Sequence, residues 1–350
     1  MDTHRQAQTQ AAWRSMAMRR GWRARLFWPL SALYGIAVAM RHQLYRWGLL
    51  TARHLPVPVV VVGNLVVGGA GKTPTVLALV AHLRQRGWHP GVISRGHGGN
   101  TDAPMLVQAD SDATLCGDEP LQIRRATGVP VCVARRRLDA GRALIDVHPE
   151  VNLIVCDDGL QHLPLHGDVR IAVFDDRGVG NGWLLPAGLL REPWPPGPAR
   201  AAPQLALVQS RAGEAPGSVP MPAGVRVFGA RRQLGGEAVN AAGERRDLRG
   251  FSSGPVSAVA GVARPEVFFE MLRAHGLAVD QTRALPDHAD AASLLAALAS
   301  LPGPVLCTDK DLVKLPADTV TRDAWAVPLQ LAVDPGFFDA LDRLLPNPPG

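Results

Sequence analysis

Apolar runs and segments of helical periodicity alternate along most of the chain. The nearly continuous apolar runs predict strands, whereas the segments between several of them predict helices. Strands without polar alternation are typically buried on both faces, so the pattern predicts a mostly parallel sheet covered by helices, a doubly wound α/β domain that binds its ligand at the carboxyl ends of the strands. The predicted strands are Val57–Val62, Gly91–Ser94, Val129–Val133, Asn152–Cys156, Ile171–Phe174 and Leu205–Gln209, and the helices are Thr75–Arg86, Glu119–Ala126 and Leu138–Val147.

A second, smaller α/β lobe is predicted after two segments rich in proline, glycine and alanine, residues 192–203 and 211–224. Such composition is typical of surface loops or linkers. We therefore predict a helical segment over residues 1–50, an α/β core over residues 51–210 and a smaller lobe over residues 211–350. The elements predicted in the lobe are strands Val225–Ala230, Val256–Ala260 and Pro304–Thr308 and helices near Pro265–His275 and Ala291–Leu301.

The N-terminal segment combines an apolar run, Leu26–Met40, with arginines on both sides. Fifteen residues without a charge are fewer than the roughly 20 that span a bilayer. A basic helix carrying tryptophan suits the interface of a membrane with anionic lipid, so we predict contact with a membrane surface through residues 14–50. A buried core helix and a signal peptide are the alternatives, and the sequence Ala37-Val38-Ala39 is compatible with a cleavage site.

The charge distribution excludes a broad nucleic-acid-binding face. Residues 1–53 contain nine arginines and one acidic residue, so this segment carries more than the whole net charge of +6 and the rest of the chain is slightly acidic. The four cysteines are far apart and lack CxxC spacing, which favours isolated buried thiols over a metal cluster or disulfide framework. No feature indicates an obligate protein partner.

A glycine-rich turn, GGAGKTP, follows the first predicted strand. Its glycines permit the backbone angles with which N–H groups converge on phosphate oxygens. The usual phosphate-binding loop has its first glycine where this chain has Val66, and an incidental strand–turn–helix connection is the alternative. The residues predicted to bind a nucleotide are Gly68, Gly69, Ala70, Gly71, Lys72, Thr73 and Pro74.

Two side chains of this turn match the chemistry of a triphosphate site. Lys72 supplies a cation for the β- and γ-oxygens, and Thr73 supplies a hydroxyl for Mg²⁺. The helix that follows offers its N-terminus to the anion, and Pro74 in the first turn gives up only an N–H that lacks an internal partner. Lysine occurs at three positions against 34 arginines, which favours a specific need for a compact point charge at position 72.

Two pairs of carboxylates complete the candidate site. Asp157 and Asp158 follow an apolar strand, where one of them would serve Mg²⁺; solvated loop carboxylates are the alternative. Asp118 and Glu119 open a predicted helix in the segment GDEP. One interpretation is that both carboxylates stabilise the helix dipole. The other is that one binds magnesium and the other accepts a proton from an attacking hydroxyl. The spacing of the residues does not decide between these two interpretations.

Taken in order, six segments resemble those of the tetraacyldisaccharide 4′-kinase family over roughly residues 41–315, with the N-terminal apolar helix included. The resemblance implies a P-loop NTPase-type α/β fold and ATP- and Mg²⁺-dependent phosphorylation of the 4′-hydroxyl of an acylated glucosamine disaccharide 1-phosphate. It also implies action at the cytoplasmic face of a Gram-negative inner membrane. Family members share the substitution at the first glycine of the P-loop. The segments are GNLVVGGAGKTP, SRGHGG, GDEP, CDDGLQH, LLPAGLLREP and TDKDLVKL.

The same resemblance implies roles for individual residues. Asp118 would act with His288, in the segment PDH, to activate the acceptor hydroxyl, while Lys72 completes the catalytic set. His97 stands where tyrosine is commoner in the family, which leaves its role open. The implied metal ligands are Thr73, Glu119 and Asp157, and the implied substrate contacts are Arg95, Gln161, His162 and Arg191, the last for the acceptor's phosphate.

Two other functions share the P-loop. A nucleotide-dependent switch that regulates membrane recruitment would lack the GDEP and PDH side chains, and Thr308–Asp311 does not match the base-selective motif of GTPases. An ATP-dependent ligase would have no need of the basic, apolar N-terminus. The loop Asn181–Pro193 mixes tryptophan, leucine and arginine, which suits an acceptor with sugar, acyl and phosphate parts; a packed amphipathic turn is the alternative.

Overall fold

A large, mostly parallel sheet organises the computed structural model of the chain. The structure describes residue 13 and residues 15–68, 71–96, 103–197, 202–210, 219–262, 264–286, 289–315 and 323–348. Within these ranges the larger sheet has nine strands in the order β15-β8-β7-β6-β1-β5-β2-β4-β3. Its strands are β1 (Val59–Asn64), β2 (Pro90–Ser94), β3 (Met105–Val107), β4 (Val131–Val133), β5 (Leu153–Asp157), β6 (Val169–Phe174), β7 (Leu205–Ser210), β8 (Arg226–Leu234) and β15 (Leu329–Val333).

The seven inner strands of this sheet are parallel, and the two edge strands β3 and β15 are antiparallel to their neighbours. Strands β1, β2, β5 and β7 are buried along their whole length, because helices or loops cover both faces. This confirms the predicted P-loop-type α/β architecture. All carboxyl ends of the parallel strands lie along one edge, which is where Asn64, Ser94 and Asp157 stand.

A smaller sheet of six strands, in the order β10-β9-β14-β13-β11-β12, lies in the C-terminal part of the described chain. Its core contains Phe251, Phe268, Phe269 and Leu272. The strands are β9 (Glu237–Asn240), β10 (Arg245–Asp247), β11 (Val256–Ala260), β12 (Val279–Ala284), β13 (Val305–Thr308) and β14 (Ala324–Val327).

Some of the helices begin or end at residues with specific capping roles. Asp290 accepts a hydrogen bond from the backbone N–H of Ser293 (2.8 Å), and Asp334 accepts one from Gly336 (2.9 Å), as N-caps do. Gly128, in the left-handed region at φ 70°, ends the helix that begins at Asp118. The helices are α1 (Trp22–Arg46), α2 (Lys72–Gln85), α3 (Ala113–Cys116), α4 (Asp118–Thr127), α5 (Arg137–Val147), α6 (Pro265–Ala274), α7 (Ala291–Ser300), α8 (Asp309–Leu312) and α9 (Pro335–Asp342).

The C-terminal residues contribute to both sheets. The strand predicted at Val225–Ala230 as part of the smaller lobe is β8, and it pairs with β7 in the larger sheet. β15, which the sequence analysis did not predict, pairs with β8 and forms the edge. Helix α9 packs against β8. The ring of Phe337 meets the ring of Phe228 edge-on, with 5.7 Å between the ring centroids. The residues of β15 alternate between partly buried and exposed, so this edge strand gave no apolar run.

Helix α1 is longer than the apolar run that predicted it. Its buried residues are Ala24, Ser31 and His42, so a narrow stripe of it contacts the protein. Among the helices of the described residues, none is both long and apolar enough to cross a bilayer. Much of the remaining surface is apolar and exposed, at Trp22, Leu26, Phe27, Trp28, Leu30, Leu33, Ile36 and Met40.

If α9 completes the core of the larger sheet, Phe337→Ala should lower the free energy of unfolding by about 3–5 kcal/mol, because a buried aromatic side chain would leave a cavity. The control is Leu344→Ala, at a side chain that is 40% exposed, with an expected change within about 0.5 kcal/mol. Urea unfolding followed by far-UV circular dichroism measures both. Equal changes in the two variants would show that α9 does not belong to the cooperative core.

Candidate active site

The glycine-rich turn joins β1 to α2 at the carboxyl edge of the larger sheet. Gly71, the N-cap of α2, has φ 75°, and Gly68 has φ 93°, so both occupy the region that glycine favours. Gly69 and Ala70 lie outside the described residues. Pro74 lies in the first turn of α2, as predicted, where a missing N–H costs no helical hydrogen bond. The described part of the turn therefore leads directly into the N-terminus of α2.

Lys72 is held at the mouth of this turn by two partners. Its Nζ is 3.4 Å from Oδ1 of Asn64 and 3.5 Å from Oδ1 of Asp158. Asn64 also donates from Nδ2 to the carbonyl of Gly68 at 2.9 Å, so one side chain fixes both the lysine and the turn. Thr73 follows in the first turn of α2 and is buried, at 8% exposure. The ammonium is thus aimed across the carboxyl edge of β1 and β5.

Asp157 ends β5, as predicted, and is fully enclosed. Ser94 Oγ donates to its Oδ2 at 3.2 Å, whereas Oδ1 has no hydrogen-bond partner among the described residues. Burial raises the pKa of Asp157, and repulsion from the nearby carboxylate of Glu119 raises it further. An unpaired buried carboxylate oxygen is costly, and a bound cation would remove that cost.

Asp158, the next residue, faces cations instead. Arg191 Nη1 lies 3.1 Å from each of its carboxylate oxygens. Although burial raises the pKa of Asp158, the charges of Lys72 and Arg191 outweigh it and lower that pKa. Its backbone has φ 49°, a left-handed conformation rare outside glycine, which aspartate tolerates and which is often found at functional sites. The two adjacent carboxylates therefore differ in partner and in ionisation.

Gln161 and His162 continue this wall of the site. Gln161 donates from Nε2 to the carbonyl of Asn64 at 3.0 Å, and its Oε1 accepts from Arg191 at 3.5 Å. Burial lowers the pKa of His162 to about 4, and the charges of Arg137, Arg41 and Arg95 add to the effect. His162 is therefore a neutral imidazole at neutral pH. Arg95 is exposed at the end of β2, near enough to act on His162 but outside the Lys72 network.

The GDEP segment opens α4, as predicted. Asp118 and Glu119 occupy its first turn, and Asp118 Oδ2 lies 3.9 Å from Nζ of Lys314. The effect of Glu119 on the pKa of Asp157 shows that Glu119 faces β5. His288 and His97 lie outside the described residues, so the pairing of Asp118 with His288 stays a prediction.

Three residues of the site were missed by the sequence analysis. Gln209 donates from Nε2 to the carbonyl of Gly71 (2.9 Å) and to Thr75 Oγ1 (3.0 Å), and Arg177 donates to the carbonyl of Val67 (2.9 Å). Asn64 is the third. Asn64 and Gln209 are polar residues at the ends of apolar strands, a signal that was available; the contact of Arg177 depends on the fold and gave none.

The described residues hold no cluster of three or more histidine, cysteine, aspartate or glutamate side chains suited to a metal ion. This is compatible with magnesium in a phosphate-transfer site, where one or two carboxylates and the phosphates share the ion with water. Asp157 with its unpaired oxygen, Glu119 opposite it and the Thr73 hydroxyl are donors of the oxygen type that Mg²⁺ prefers. The residues present therefore fit the ion.

Comparisons with known proteins agree with this geometry. The family model of LpxK, tetraacyldisaccharide-1-P 4′-kinase, matches residues 23–346. The tetraacyldisaccharide 4′-kinase of Acidovorax sp. (strain JS42) is 51% identical over 333 residues, covering 93% of this chain and 92% of the relative. That of Polaromonas naphthalenivorans (strain CJ2) is 49% identical over 337 residues, covering 95% and 93%. A crystal structure of LpxK from Aquifex aeolicus in complex with ATP superimposes with a TM-score of 0.76 at 25% identity, covering 92% of this chain and 99% of that one.

The position of Gly71 predicts a specific sensitivity. A Cβ there would lie 2.0 Å from Gln209 Oε1, which cannot retreat because Arg232 donates to it at 2.8 Å. We expect Gly71→Ala to weaken binding of a fluorescent ATP analogue at least about tenfold, since a 1.4 kcal/mol distortion of the turn is enough. Gly87→Ala is the matched control, with a similar φ of 87° and nothing within 4 Å, and should leave the affinity unchanged. Equal affinities in the two variants would contradict the role of Gln209.

Proposed function

The chain belongs to the tetraacyldisaccharide-1-phosphate 4′-kinase family, and on this premise we propose how its own residues perform the reaction. The enzyme uses ATP to phosphorylate the 4′-hydroxyl of a tetraacyldisaccharide 1-phosphate in lipid A biosynthesis. The proposal rests on one observation: Lys72 and Arg191 both form ion pairs with Asp158, beside the glycine-rich turn.

Lys72 and the start of α2 hold the triphosphate. Asp158 and Asn64 keep the Lys72 ammonium at the mouth of the turn. Phosphate oxygens would replace Asp158 as the main partner of Lys72. A preorganised cation of this kind stabilises the negative charge that develops on the phosphoryl group during transfer. Because the cation is already in place, the protein does not have to reorganise during the reaction.

Thr73, Glu119 and Asp157 are the proposed ligands of magnesium. When bound, the ion would neutralise charge on the phosphate oxygens. The support is the unpaired Oδ1 of Asp157 and the proximity of Glu119, whose mutual repulsion a cation would relieve. Ser94 holds the other oxygen of Asp157 and fixes the orientation of the carboxylate. Asp158 is committed to Lys72 and Arg191, so Asp157 is the better candidate of the two.

Asp118, acting with His288, is the proposed acceptor of the proton. The 4′-oxygen forms a bond to the γ-phosphorus while the bond to the bridging oxygen breaks, ADP leaves, and the hydroxyl proton passes to the Asp118 carboxylate. Asp118 stands at the N-terminus of α4. A carboxylate in this position suits a reaction in which positioning contributes more than the strength of the base.

Arg191 is the proposed contact for the phosphate of the acceptor, with Gln161, His162 and Arg95 nearby. Among the described residues the polar contacts of the Arg191 side chain are made by Nη1, which leaves the other guanidinium nitrogens for a phosphate. Neutral His162 adds a hydrogen-bonding group without a further charge. Because guanidinium binds phosphate with two parallel hydrogen bonds, Arg191 can orient the acceptor as well as attract it.

Helix α1 is the proposed membrane contact, which would place the enzyme peripherally on the cytoplasmic face of the inner membrane. Two features support this: the exposed apolar side chains of α1, at 64% exposure for both Leu33 and Ile36, and the arginines at its ends. A contiguous apolar surface bordered by cations is typical of helices that lie in a lipid interface. An acylated substrate is confined to the same surface.

Transfer of labelled γ-phosphate from ATP to a tetraacyldisaccharide 1-phosphate in detergent micelles tests the site. Lys72→Ala should lower the rate at least about 100-fold, because it removes a cation that faces the transferring group. Lys310→Ala, at a lysine outside the P-loop, is the control and should retain the rate. In the wild type, chelation of Mg²⁺ should abolish transfer. Steady transfer by Lys72→Ala would overturn the P-loop assignment.

Vesicle binding tests the role of α1. We expect the double variant Leu33→Asp, Ile36→Asp to bind vesicles of anionic phospholipid at least about tenfold more weakly, since each buried aliphatic side chain contributes about 1.5–3 kcal/mol. Val147→Asp, at an exposed apolar residue on α5, is the control and should bind as the wild type does. Unchanged binding by the double variant would contradict the proposed surface. Vesicles without anionic lipid should bind more weakly, because they do not attract the arginines.

A further inference from the structure

Lys314 is a buried lysine between the larger and the smaller sheet. It lies where α4, beside the larger sheet, meets α8 and the turn that follows α8. The side chain of Lys314 is 7% exposed. Its Nζ lies 3.9 Å from Asp118 Oδ2 and 3.5 Å from Asp311 Oδ1. Burial of an ammonium group is strongly unfavourable unless it meets opposite charge, so these two carboxylates account for the lysine's place in the interior.

Asp311 is a rigid partner for this lysine. It is 1% exposed, and its Oδ2 accepts hydrogen bonds from the Gly261 N–H at 3.0 Å and from Thr308 Oγ1 at 2.6 Å. The remaining oxygen, Oδ1, faces Lys314, and neither that oxygen nor Nζ has a hydrogen-bond partner among the described residues. The Lys314 N–H also donates to the Asp311 carbonyl at 3.1 Å. The backbone of Lys314 is therefore fixed beside the end of β13, with its ammonium group between Asp311 and Asp118.

The surrounding contacts hold α4 against α8. Arg125 donates from Nη1 to the Val313 carbonyl at 3.0 Å. Gln122, also on α4, hydrogen-bonds to Asp309 on α8. Gln122 and Arg125 thus hold α4 against α8 and the turn after it, and Asp118, in the first turn of α4, forms an ion pair with Lys314.

We propose that Lys314 is a positioning residue for Asp118, holding one of its carboxylate oxygens so that the other faces the acceptor hydroxyl. The inference rests on the proposed role of Asp118 as proton acceptor. Both distances from Nζ exceed the 2.7–2.9 Å usual for a charged hydrogen bond, so a shift of about 1 Å would bring Nζ into direct contact with Asp118.

A double-mutant cycle tests this inference. Lys314→Met, Asp118→Asn and the double variant are compared with the wild type in the labelled transfer assay, with the KM values for ATP and lipid measured separately. We expect Lys314→Met to lower kcat about 10- to 100-fold and to leave both KM values within about threefold. In the Asp118→Asn background the same substitution should change kcat less than about twofold, because a residue that acts through Asp118 has nothing left to position. Lys310→Met, on α8, is the matched control and should keep the wild-type kcat.

The outcomes separate this inference from the proposed function. Near-normal kcat in Asp118→Asn would overturn the role of Asp118 and the inference with it. A large loss in Asp118→Asn together with an unchanged Lys314→Met, or with losses that multiply in the double variant, would overturn the inference alone. Thermal melting checks that each variant is folded. If Lys314→Met does not fold, Lys314→Gln, which removes the charge but keeps a donor, takes its place in the same cycle with the same expectations.

Discussion

The Asp158 carboxylate, held between Lys72 and Arg191, is the interaction on which the arrangement of the site depends. It lies 3.5 Å from the lysine and 3.1 Å from the arginine, and these two cations lower its pKa despite burial. The residue before it, Asp157, has the opposite environment, with a raised pKa and an unpaired oxygen. The end of β5 therefore supplies two different carboxylates: Asp158, which forms ion pairs with Lys72 and Arg191, and Asp157, which is suited to bind a metal ion. Asp158 itself has a left-handed backbone, with φ 49°.

This network connects the site to the N-terminal helix. Tyr34 on α1 donates to the Arg191 carbonyl at 2.7 Å, and Arg41 donates to the Gln161 carbonyl at 3.0 Å. His42 and Glu192 form a buried pair at 3.3 Å immediately beside them. The face of α1 that contacts the protein is thus attached to the segment that carries Arg191, while its opposite face is apolar and exposed. If α1 lies against lipid as proposed, an acceptor anchored there would meet Arg191, its proposed contact, beside the helix that supports this arginine.

The smaller sheet is joined to the site by charge at two places. Arg264, at the start of α6, pairs with Asp176 at 2.6 Å and lies 3.7 Å from the buried Asp175, next to the loop after β6. Lys314 reaches Asp118 on the other side of that junction. Both contacts join groups that are far apart in sequence, and both lie at the carboxyl edge of the larger sheet. The smaller sheet therefore supports the side chains that surround the phosphate site.

The sequence alone determined those features that local chemistry specifies. Continuous apolar strands alternating with helices determined the parallel α/β core, and the order glycine, lysine, threonine before a helix determined the P-loop, because backbone freedom and a helix N-terminus are local properties. The position of Asp157 after an apolar strand made it a candidate from the residues alone, whereas the roles of Asp118 and Arg191 were implied by the family resemblance. Only the tertiary structure decided that β8 and β15 complete the larger sheet, that Asn64 and Gln209 brace the turn, and that Lys314 meets Asp118. The edge strand β15 lacks a buried apolar pattern, and an ion pair between distant residues such as Lys314 and Asp118 exists only once folding has brought them together, so neither could be predicted. The polar residues Asn64 and Gln209 at strand ends were visible in the sequence, but their partners were not.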